Sequence, residues 1–383
     1  MNDKIKYPFL DLATVNARYI DQLHQAASRV IDSGRYIGGT EVEEFEHELA
    51  QFCKAPHAIG VANGLDALRL VLMAWQELGL VSPGDGVIVP GNTFIASVLA
   101  IVHARLKPVF VDPDVETYCL SGEAVERACQ ADKSIKVLMP VHLYGKVAWD
   151  ADVAECVRKR NLLVIEDAAQ SIGAISRSPG LFGSRRAGAL GHAGAFSFYP
   201  TKNIGALGDA GAVVTHSFEL ARTVRQLANY GSDKRYHNIF AGVNSRLDPI
   251  QAAMLRAKLP DTAQANSRRF ERAVAYNNVI DHPLVTKPRI SPQVTDSVWH
   301  QYVIRVGNGR RNHLKDYLLS QGVETDIHYP IPPHLQPCFA TMPHGELPVS
   351  ELLANEVLSL PISDCTSVAD AAAIGRIINS FPS

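Results

Sequence analysis

Short apolar runs alternate with stretches of helical periodicity through the first half of the chain. The apolar runs predict strands at Val87–Val89, Val109–Val111, Val137–Val141 and Leu162–Ile165. The stretches between them predict helices at Phe94–Arg105, Gly122–Ala131 and Asp152–Arg160. Strands that are apolar along their whole length are typical of a mostly parallel sheet whose two faces are both covered. The pattern therefore predicts an α/β domain.

Two more apolar runs, Ala195–Tyr199 and Gly211–Thr215, predict further strands of the same domain. A glycine-rich loop that carries Lys202 joins them. Beyond about Leu220 the pattern becomes helical, and a long connecting helix is expected over residues 249–280.

The last part of the chain has shorter elements. A strand is predicted at His300–Val306, and helices are predicted at Arg311–Gln321 and Ser350–Leu358. We therefore expect a large α/β domain over residues 1–255. The connecting helix and a small α+β domain are expected over residues 256–383.

The composition indicates a globular protein with a small ligand. The chain has 383 residues, of which 46% are hydrophobic and 20% charged, and its formal net charge is −2. No block of like charges suggests a nucleic-acid or membrane surface, and no apolar segment approaches the length that spans a bilayer. The six cysteines form no Cys-x-x-Cys pair, which argues against a disulfide framework and favours the reducing cytoplasm.

The candidate chemistry centres on Lys202 and Asp167. Lys202 lies in GAFSFYPTKNIGALGDAGAVVT, where small and apolar residues replace the polar neighbours of a typical surface lysine. Asp167 ends the apolar run of LLVIEDAAQS, at the edge where α/β sheets collect ligands, although a helix cap explains such an acid more simply when it is taken alone. Together the two residues match a pyridoxal phosphate enzyme. The lysine amine forms a Schiff base with the cofactor aldehyde, and the carboxylate keeps the pyridine nitrogen protonated.

A phosphate group needs N–H and hydroxyl donors, and the segment GVANGLDALRLVLMAWQELG offers donors at a helix start. Asn63 is the predicted N-cap, Gly64 permits close approach, and Asp66 is expected to complete the cap. A capped helix by itself also explains this segment, but a capped end still leaves amides free. Ser197, five residues before Lys202, is a second candidate for the phosphate.

A planar pyridine ring favours an aromatic ring or a flat amide on its face. Phe94 in PGNTFIAS and Gln170 in EDAAQS are candidates for these contacts. Considered alone, Phe94 would be assigned to the core. The presence of Asp167 and Lys202 makes both residues cofactor candidates.

Several longer motifs together form a specific pattern. From Phe9 to His334 the chain contains FLDL, SGRYIGGTEVEEFE, PGNTFIAS, PVHLYGK, EDAAQSIGA, SFYPTKNIGALGDAGAVVT, GVNSRLDPIQAA and HYPIPPH. With these motifs the chain resembles the DegT/DnrJ/EryC1/StrS family of pyridoxal-phosphate nucleotide-sugar aminotransferases. The resemblance implies the aspartate aminotransferase-type fold, known as fold type I.

The resemblance also implies roles for single residues. Lys202 would bind the cofactor aldehyde and Asp167 the pyridine nitrogen, while Gln170 and Phe94 would contact the cofactor. The phosphate would be held by Ser197, by the amides of Gly64 and Leu65, and by Asn244 from the second subunit of a homodimer with shared sites.

The motifs NGLDALRL, YGSDKRYHN and NSRLD resemble the family members that act on 3-oxo sugars. In those members, residues that match Tyr199, His328 and Tyr329 lie beside the sugar nucleotide. The resemblance implies amination of a dTDP-linked 3-oxo-6-deoxyhexose at C3 with L-glutamate as donor, for a surface polysaccharide such as O-antigen or another glycoconjugate. Ala210 stands where the family usually has glycine, and Pro249 stands where an acidic residue is common.

Four other functions remain open at this point. The same enzyme could act on a 4-oxo sugar, or the chain could be a regulatory or binding homologue without catalysis. A nicotinamide-dependent oxidoreductase is poorly supported, because Gly205, Gly208 and Gly211 do not follow the G-x-G-x-x-G spacing. A zinc enzyme would use His328 and His334, for which no cysteine or carboxylate completes a ligand set.

Overall fold

A seven-stranded sheet forms the centre of the large domain. The structure, a computed structural model, describes residues 5–290 and 296–382. The strands of the sheet are β1 (His57–Val61), β2 (Gly86–Pro90), β3 (Lys107–Val111), β4 (Ile135–Leu138), β5 (Leu163–Asp167), β6 (Ala193–Ser197) and β7 (Gly211–Thr215). Their order is β1-β7-β6-β5-β4-β2-β3, and only the two pairs that include β7 are antiparallel. The predicted mostly parallel sheet is confirmed.

Helices cover both faces of the sheet. In chain order they are α1 (Leu12–Ala17), α2 (Ile20–Ser33), α3 (Thr40–Cys53), α4 (Gly64–Glu77), α5 (Ile95–His103), α6 (Gly122–Ala131), α7 (Ala151–Arg160), α8 (Phe218–Ala228) and α9 (Pro249–Lys258). On β2, Val87 and Val89 pack in one cluster with Leu68 of α4, whereas Ile88 packs with Val153 of α7. Because successive side chains point to opposite faces, a strand covered on both faces is apolar throughout.

A small domain forms around the C-terminal helices. Its elements are α10 (Thr262–Val279), β10 (Val285–Thr286), β11 (Tyr302–Val306), α11 (Arg311–Ser320), α12 (Pro348–Glu356), β12 (Val357–Leu360) and α13 (Val368–Asn379). The three strands form an antiparallel sheet in the order β10-β11-β12. Its core includes Tyr276, Tyr302, Leu314 and Ile374, together with Tyr7 from the N-terminal segment.

A short hairpin projects from the large domain before α9. Its strands are β8 (Ser232–Lys234) and β9 (His237–Asn238), and Tyr236 at its turn is 87% exposed.

The connecting helix predicted over residues 249–280 is wrong as a single helix. The helix α9 ends at Lys258, α10 begins at Thr262, and a turn of 3-10 helix at Leu259–Asp261 separates them. Pro260 lies in that turn, and a proline in a helix interior removes a backbone hydrogen bond and clashes with the preceding turn.

The helix predicted over Ser350–Leu358 is also shorter than expected. The helix α12 ends at Glu356, and Val357 begins β12, in which Leu358 pairs with Ile304 of β11. An apolar run at a helix end is ambiguous in sequence, and here the neighbouring strand decides its conformation.

The predicted division into residues 1–255 and 256–383 stays a prediction. Its boundary falls inside α9, and the packing of Tyr7 in the small domain joins the N-terminal segment to the C-terminal residues. In the parts of the chain that the structure describes, every helix is too short or too polar to cross a membrane.

Candidate active site

Three strand ends meet at one edge of the sheet. Asp167 ends β5 and pairs with Ala195 of the parallel strand β6, which ends two residues later at Ser197. Ser197 pairs with Gly211, the first residue of β7, and Gly211 also pairs with Val61 at the end of β1. The register therefore brings the carboxyl ends of β1, β5 and β6 together, as expected for a ligand site in an α/β sheet.

A cavity of about 550 Å³ opens at this edge. Ten residues predicted from the sequence line it, and they are Gly64, Leu65, Phe94, Asp167, Gln170, Ser197, Tyr199, Lys202, His328 and Tyr329. Asn244 does not line the cavity of its own chain: it is exposed, next to the buried Ser245.

Lys202 is held in a tight turn after β6. Its backbone N–H donates to the carbonyl of Tyr199 at 2.8 Å, and the N–H of Ala206 donates back to Phe198 at 2.8 Å. A Cβ atom on Gly205 would lie 2.2 Å from the carbonyl oxygen of Pro200, so this turn requires glycine. Burial lowers the pKa of Lys202, and the charge of Asp167 opposes that shift only in part.

Asp167 is buried and held by two hydrogen bonds. Oδ2 accepts from the hydroxyl of Ser97 at 2.7 Å, and Oδ1 accepts from the N–H of Ala169 at 3.2 Å. Oγ1 of Thr93 lies 2.8 Å from Oγ of Ser97. Because Ser97 has one hydroxyl proton and gives it to Asp167, Thr93 is the donor of that second contact.

Glu166, which precedes Asp167 in β5, forms hydrogen bonds with His142 and with the segment 188–191. The Glu166 carboxylate is fully buried and accepts from three N–H groups of the segment 188–191 at 2.7 to 2.8 Å. It also accepts from Nε2 of His142 at 2.8 Å. Nδ1 of His142 accepts from the N–H of Ala148 at 3.0 Å, so Nε2 is the nitrogen that carries hydrogen.

The N-terminus of α4 lies at the cavity, where an anion site is predicted from the sequence. Oδ1 of Asn63 accepts from the N–H of Asp66 at 2.8 Å, so Asn63 is the N-cap as predicted. A Cβ atom on Gly64 would lie 2.6 Å from Cβ of Ser197, so only glycine lets the helix approach this strand end. The amides of Gly64 and Leu65, unlike that of Asp66, have no acceptor within the helix and are free to bind an anion.

Asp66 does not complete the cap. Its carboxylate lies 2.8 Å from Nη2 of Arg69, three residues along the same helix face. The expectation of a capping box was wrong here because the arginine, one turn away, takes the carboxylate.

Aromatic side chains form one wall of the cavity. The ring centroids of Phe94 and Tyr329 lie 5.1 Å apart, and Phe94 is 50% exposed at the mouth of the cavity. Gln170 has a fixed orientation, because Oε1 accepts from the N–H of Tyr144 at 2.6 Å while Nε2 lies 3.2 Å from the Tyr329 hydroxyl. The amide plane of Gln170 is thus fixed from both ends.

His328 faces the cavity from the small domain. Its Nδ1 lies 2.8 Å from Oγ of Ser359, its Nε2 lies 3.6 Å from Oδ2 of Asp326, and its carbonyl accepts from the Tyr144 hydroxyl. Burial lowers its pKa, against the effect of Asp326. The other histidine of the zinc hypothesis, His334, lies outside the cavity lining. Over residues 5–290 and 296–382, no group of three or more histidine, cysteine, aspartate or glutamate residues is arranged to hold a metal ion.

Thr93, Ser97, His142, His300 and Gln301 are among the residues that line or support the site and that sequence reasoning missed. Thr93 precedes α5 and Ser97 lies in its first turn, and this pair of hydroxyls four residues apart at a helix start could have been noticed. His142, His300 and Gln301 lie far from Asp167 and Lys202 in the chain, and no local pattern indicates that they reach the cavity.

The site fits pyridoxal phosphate. Gly64, Leu65 and Ser197 offer amide and hydroxyl donors for a phosphate, and Asp167 offers a buried carboxylate for a protonated pyridine nitrogen. A largely buried lysine with a lowered pKa suits bond formation with an aldehyde. These groups match the phosphate, the ring nitrogen and the aldehyde of the cofactor.

Comparison with known proteins identifies the family of this chain. The model of the DegT/DnrJ/EryC1/StrS aminotransferase family matches residues 18–379. The chain belongs to this family. The predicted family, fold class, aminotransferase activity and pyridoxal-phosphate cofactor are thereby confirmed, and the function is confirmed as that of a sugar aminotransferase.

Individual relatives of this DegT/DnrJ/EryC1/StrS aminotransferase align almost end to end. The chain is 44% identical over 374 residues to the dTDP-3-amino-3,6-dideoxy-alpha-D-galactopyranose transaminase of Aneurinibacillus thermoaerophilus, which covers 98% of this chain and 99% of that one. It is 45% identical over 359 residues to the erythromycin biosynthesis sensory transduction protein EryC1 of Saccharopolyspora erythraea, covering 93% and 94%. The crystal structure of S. venezuelae DesV in complex with a ketimine intermediate superposes with a TM-score of 0.90 at 41% identity, covering 98% of both chains.

Proposed function

We propose that this protein transfers an amino group from L-glutamate to C3 of a dTDP-linked 3-oxo-6-deoxyhexose, with pyridoxal phosphate as cofactor. The observation that carries the proposal is the meeting of Lys202 and Asp167 in one cavity, at the strand edge where the start of α4 packs against Ser197. The relative from Aneurinibacillus thermoaerophilus, named as a 3-amino sugar transaminase, supports the C3 position.

When bound, the cofactor supplies an aldehyde carbon for the reacting amine and a ring that accepts electrons from it. Asp167 holds the ring nitrogen in its protonated form, because its carboxylate is buried and oriented by Ser97. Phe94 and Gln170 would contact the cofactor ring. Ser197 and the amides of Gly64 and Leu65 would bind the phosphate.

Lys202 is the residue that transfers the proton of the amino donor. When it is not bonded to the cofactor, the lysine amine would take a proton from Cα of the amino donor as a base and give that proton back as an acid. A base must be neutral to accept a proton, and burial lowers the pKa of Lys202 in that direction. The same group serves as base and as acid, so one residue carries both proton transfers.

Tyr199, His328 and Tyr329 bind the sugar nucleotide. All three line the cavity, Tyr199 at its open side with 52% exposure and the other two at the small domain. The hydroxyl and imidazole groups suit hydrogen bonds to sugar hydroxyls. The small domain thus supplies the side of the site that distinguishes substrates.

The working unit is a homodimer with shared active sites. Asn244 is exposed in the single chain and lies beside the hairpin β8–β9, where Tyr230, Tyr236 and Ile239 are also exposed. Its amide would bind the cofactor phosphate of the second subunit. All six cysteines are free, which supports a location in the reducing cytoplasm, and the product would enter the synthesis of a surface polysaccharide such as O-antigen or another glycoconjugate.

A regulatory function is the second candidate, because EryC1 is named as a sensory transduction protein. The largely buried Lys202, the Asp167 carboxylate oriented by Ser97 and the free amides at the start of α4 are all present in this chain, and a binding protein without catalysis would not need a lysine of lowered pKa. These features favour the enzyme.

The test is the structure of the product. Purified protein is incubated with L-glutamate and matched 3-oxo and 4-oxo dTDP-6-deoxyhexoses, and NMR locates the new amine. We expect amination at C3. Amination at C4 alone would show that the enzyme acts on 4-oxo sugars, and no amination of either sugar would favour the regulatory function.

A further inference from the structure

His300 is a buried side chain of the cavity that the proposed function does not yet use. It is 5% exposed, and its ring lines the cavity together with Lys202. Its Nδ1 lies 2.9 Å from Oδ1 of Asn203, the residue that follows the reactive lysine in the chain. The hydrogen bonds of Asn203 determine what the other ring nitrogen can do.

Two backbone carbonyls fix the direction of these hydrogen bonds. Asn203 donates through Nδ2 to the carbonyl of Val298 at 3.1 Å and to Oδ1 of Asn266 at 2.9 Å. Asn266 donates through its own Nδ2 to the carbonyl of Ile172 at 2.9 Å. Because a carbonyl can only accept, both amides are fixed, and Oδ1 of Asn203 is an acceptor. Nδ1 of His300 must therefore carry the hydrogen.

The ring of His300 is neutral, with a lone pair on Nε2. Burial lowers the pKa of His300 well below its usual value, and the positive charges of Lys202, Arg269 and His328 act in the same direction. A neutral imidazole that carries hydrogen on Nδ1 accepts through Nε2. No donor from the described part of the chain reaches that nitrogen.

The other two histidines of the cavity have polar neighbours at both nitrogens. His142 is bonded to Glu166 and to the N–H of Ala148, and His328 has Ser359 and Asp326 beside its two nitrogens. Among the described lining residues, the only lysine or arginine is Lys202. One unpartnered acceptor and one cationic donor therefore share the cavity.

We propose that His300 is a positioning residue for Lys202, and that the lysine side chain turns, once its amine is released from the cofactor, so that Nζ donates a hydrogen bond to Nε2 of His300. The inference rests on the proposed function, in which Lys202 alternates between a bonded and a free state. Because Asn203 joins His300 to the lysine loop, the acceptor keeps its place relative to the amine. The free lysine is then held at the reacting carbon.

The first test measures the pKa of Lys202 in protein from which the cofactor has been removed. The rate of modification of Lys202 by an amine reagent is followed against pH, with peptide mapping to identify the residue. A neutral acceptor stabilises the charged amine, so His300→Leu should lower the pKa of Lys202 by roughly one unit. His300→Gln supplies an oxygen acceptor and should restore most of that shift.

His334→Leu is the matched control, because His334 is also buried but lies outside the cavity. It should leave the pKa of Lys202 unchanged. An unchanged pKa in His300→Leu, or a failure of His300→Gln to restore it, would overturn the inference.

A measurement on the unmodified protein does not depend on the folding of any variant. Nitrogen-15 NMR of the histidine rings should show His300 with hydrogen on Nδ1, and its Nε2 resonance should shift when pyridoxal phosphate is added and Lys202 becomes bonded. Hydrogen on Nε2 would overturn the inference. A cofactor found on another lysine would refute the proposed function itself, whereas a cofactor on Lys202 with an unaffected His300 refutes only this inference.

Discussion

The hydroxyl of Ser97 donates a hydrogen bond to Asp167, with 2.7 Å between Oγ and Oδ2, although the two residues are 70 positions apart in the chain. The hydroxyl of Thr93 donates a hydrogen bond to Oγ of Ser97, with 2.8 Å between the two oxygens. The first turn of α5 thus orients the carboxylate at the end of β5. A carboxylate that is buried and fixed in this way keeps one geometry toward the cofactor ring.

Ser97→Ala should therefore slow the reaction without removing the cofactor. A hydrogen bond to a charged group is worth about 1.5 kcal/mol or more, so kcat is expected to fall by roughly tenfold. Steady-state kinetics gives the rate, and the absorbance of the bound cofactor shows that it is still present. Thr93→Val, which removes the donor to Ser97 but leaves the hydrogen bond from Ser97 to Asp167, should have a smaller effect, and an unchanged kcat in Ser97→Ala would contradict the orienting role.

Asp167→Asn should have a much larger effect. The amide has the shape of the carboxylate but lacks the charge that keeps the ring nitrogen protonated. Loss of such a buried ion pair is worth about 3–5 kcal/mol, so turnover should fall by roughly two to four orders of magnitude. Cofactor content is measured in parallel, and near-normal turnover in a fully loaded variant would refute the electron-accepting role of the ring.

Gly64→Ala tests the anion site. The new Cβ would lie 2.6 Å from Cβ of Ser197, so the helix must move away from the strand end and the phosphate loses one of its donors. Cofactor titration should show weaker binding, with a dissociation constant at least roughly tenfold higher. Gly345→Ala is the matched control, because a Cβ there meets nothing within 4 Å. Equal cofactor affinities in Gly64→Ala and Gly345→Ala would show that the phosphate does not bind at this helix end.

The shared site is tested by mixing two inactive variants. Lys202→Ala should be inactive, and Asn244→Asp should be severely impaired because it places a carboxylate beside the cofactor phosphate. If each site takes Lys202 from one chain and Asn244 from its partner, a mixed dimer has one fully native site.

Random exchange of an equal mixture should therefore restore roughly a quarter of the unmodified activity, since half the dimers are mixed and each has one intact site of two. Subunit exchange is verified by mass spectrometry of the native dimers. No recovery after complete exchange would place Asn244 outside the partner's site.

The sequence predicted the parts of the fold that have a strong local pattern. The strands β2 to β7 are apolar runs between glycines, prolines and helices, so their positions follow from the order of residues. The break at Pro260 and the strand at Val357–Leu360 were missed, because each lies in a longer apolar or helical stretch. There the contact with a neighbouring element, and not the local pattern, sets the conformation.

The residues of the candidate site also fall into two groups, those that stand in a local motif and those that depend on a distant partner. Lys202, Asp167, Gly64 and Ser197 stand in motifs that are short and contiguous, so sequence reasoning could find them. Ser97 and His300 act through partners that are 70 and 97 residues away, and only the folded chain brings those pairs together. Contacts of this kind leave no periodic signal in the sequence.

The central claim is that Lys202 forms the bond to the cofactor. Purified protein loaded with pyridoxal phosphate is reduced with borohydride, digested, and mapped by mass spectrometry. We expect visible absorbance before reduction, the cofactor mass on the peptide that contains Lys202, and neither signal in Lys202→Ala. A cofactor label on any other lysine, or full labelling of Lys202→Ala, would contradict the account.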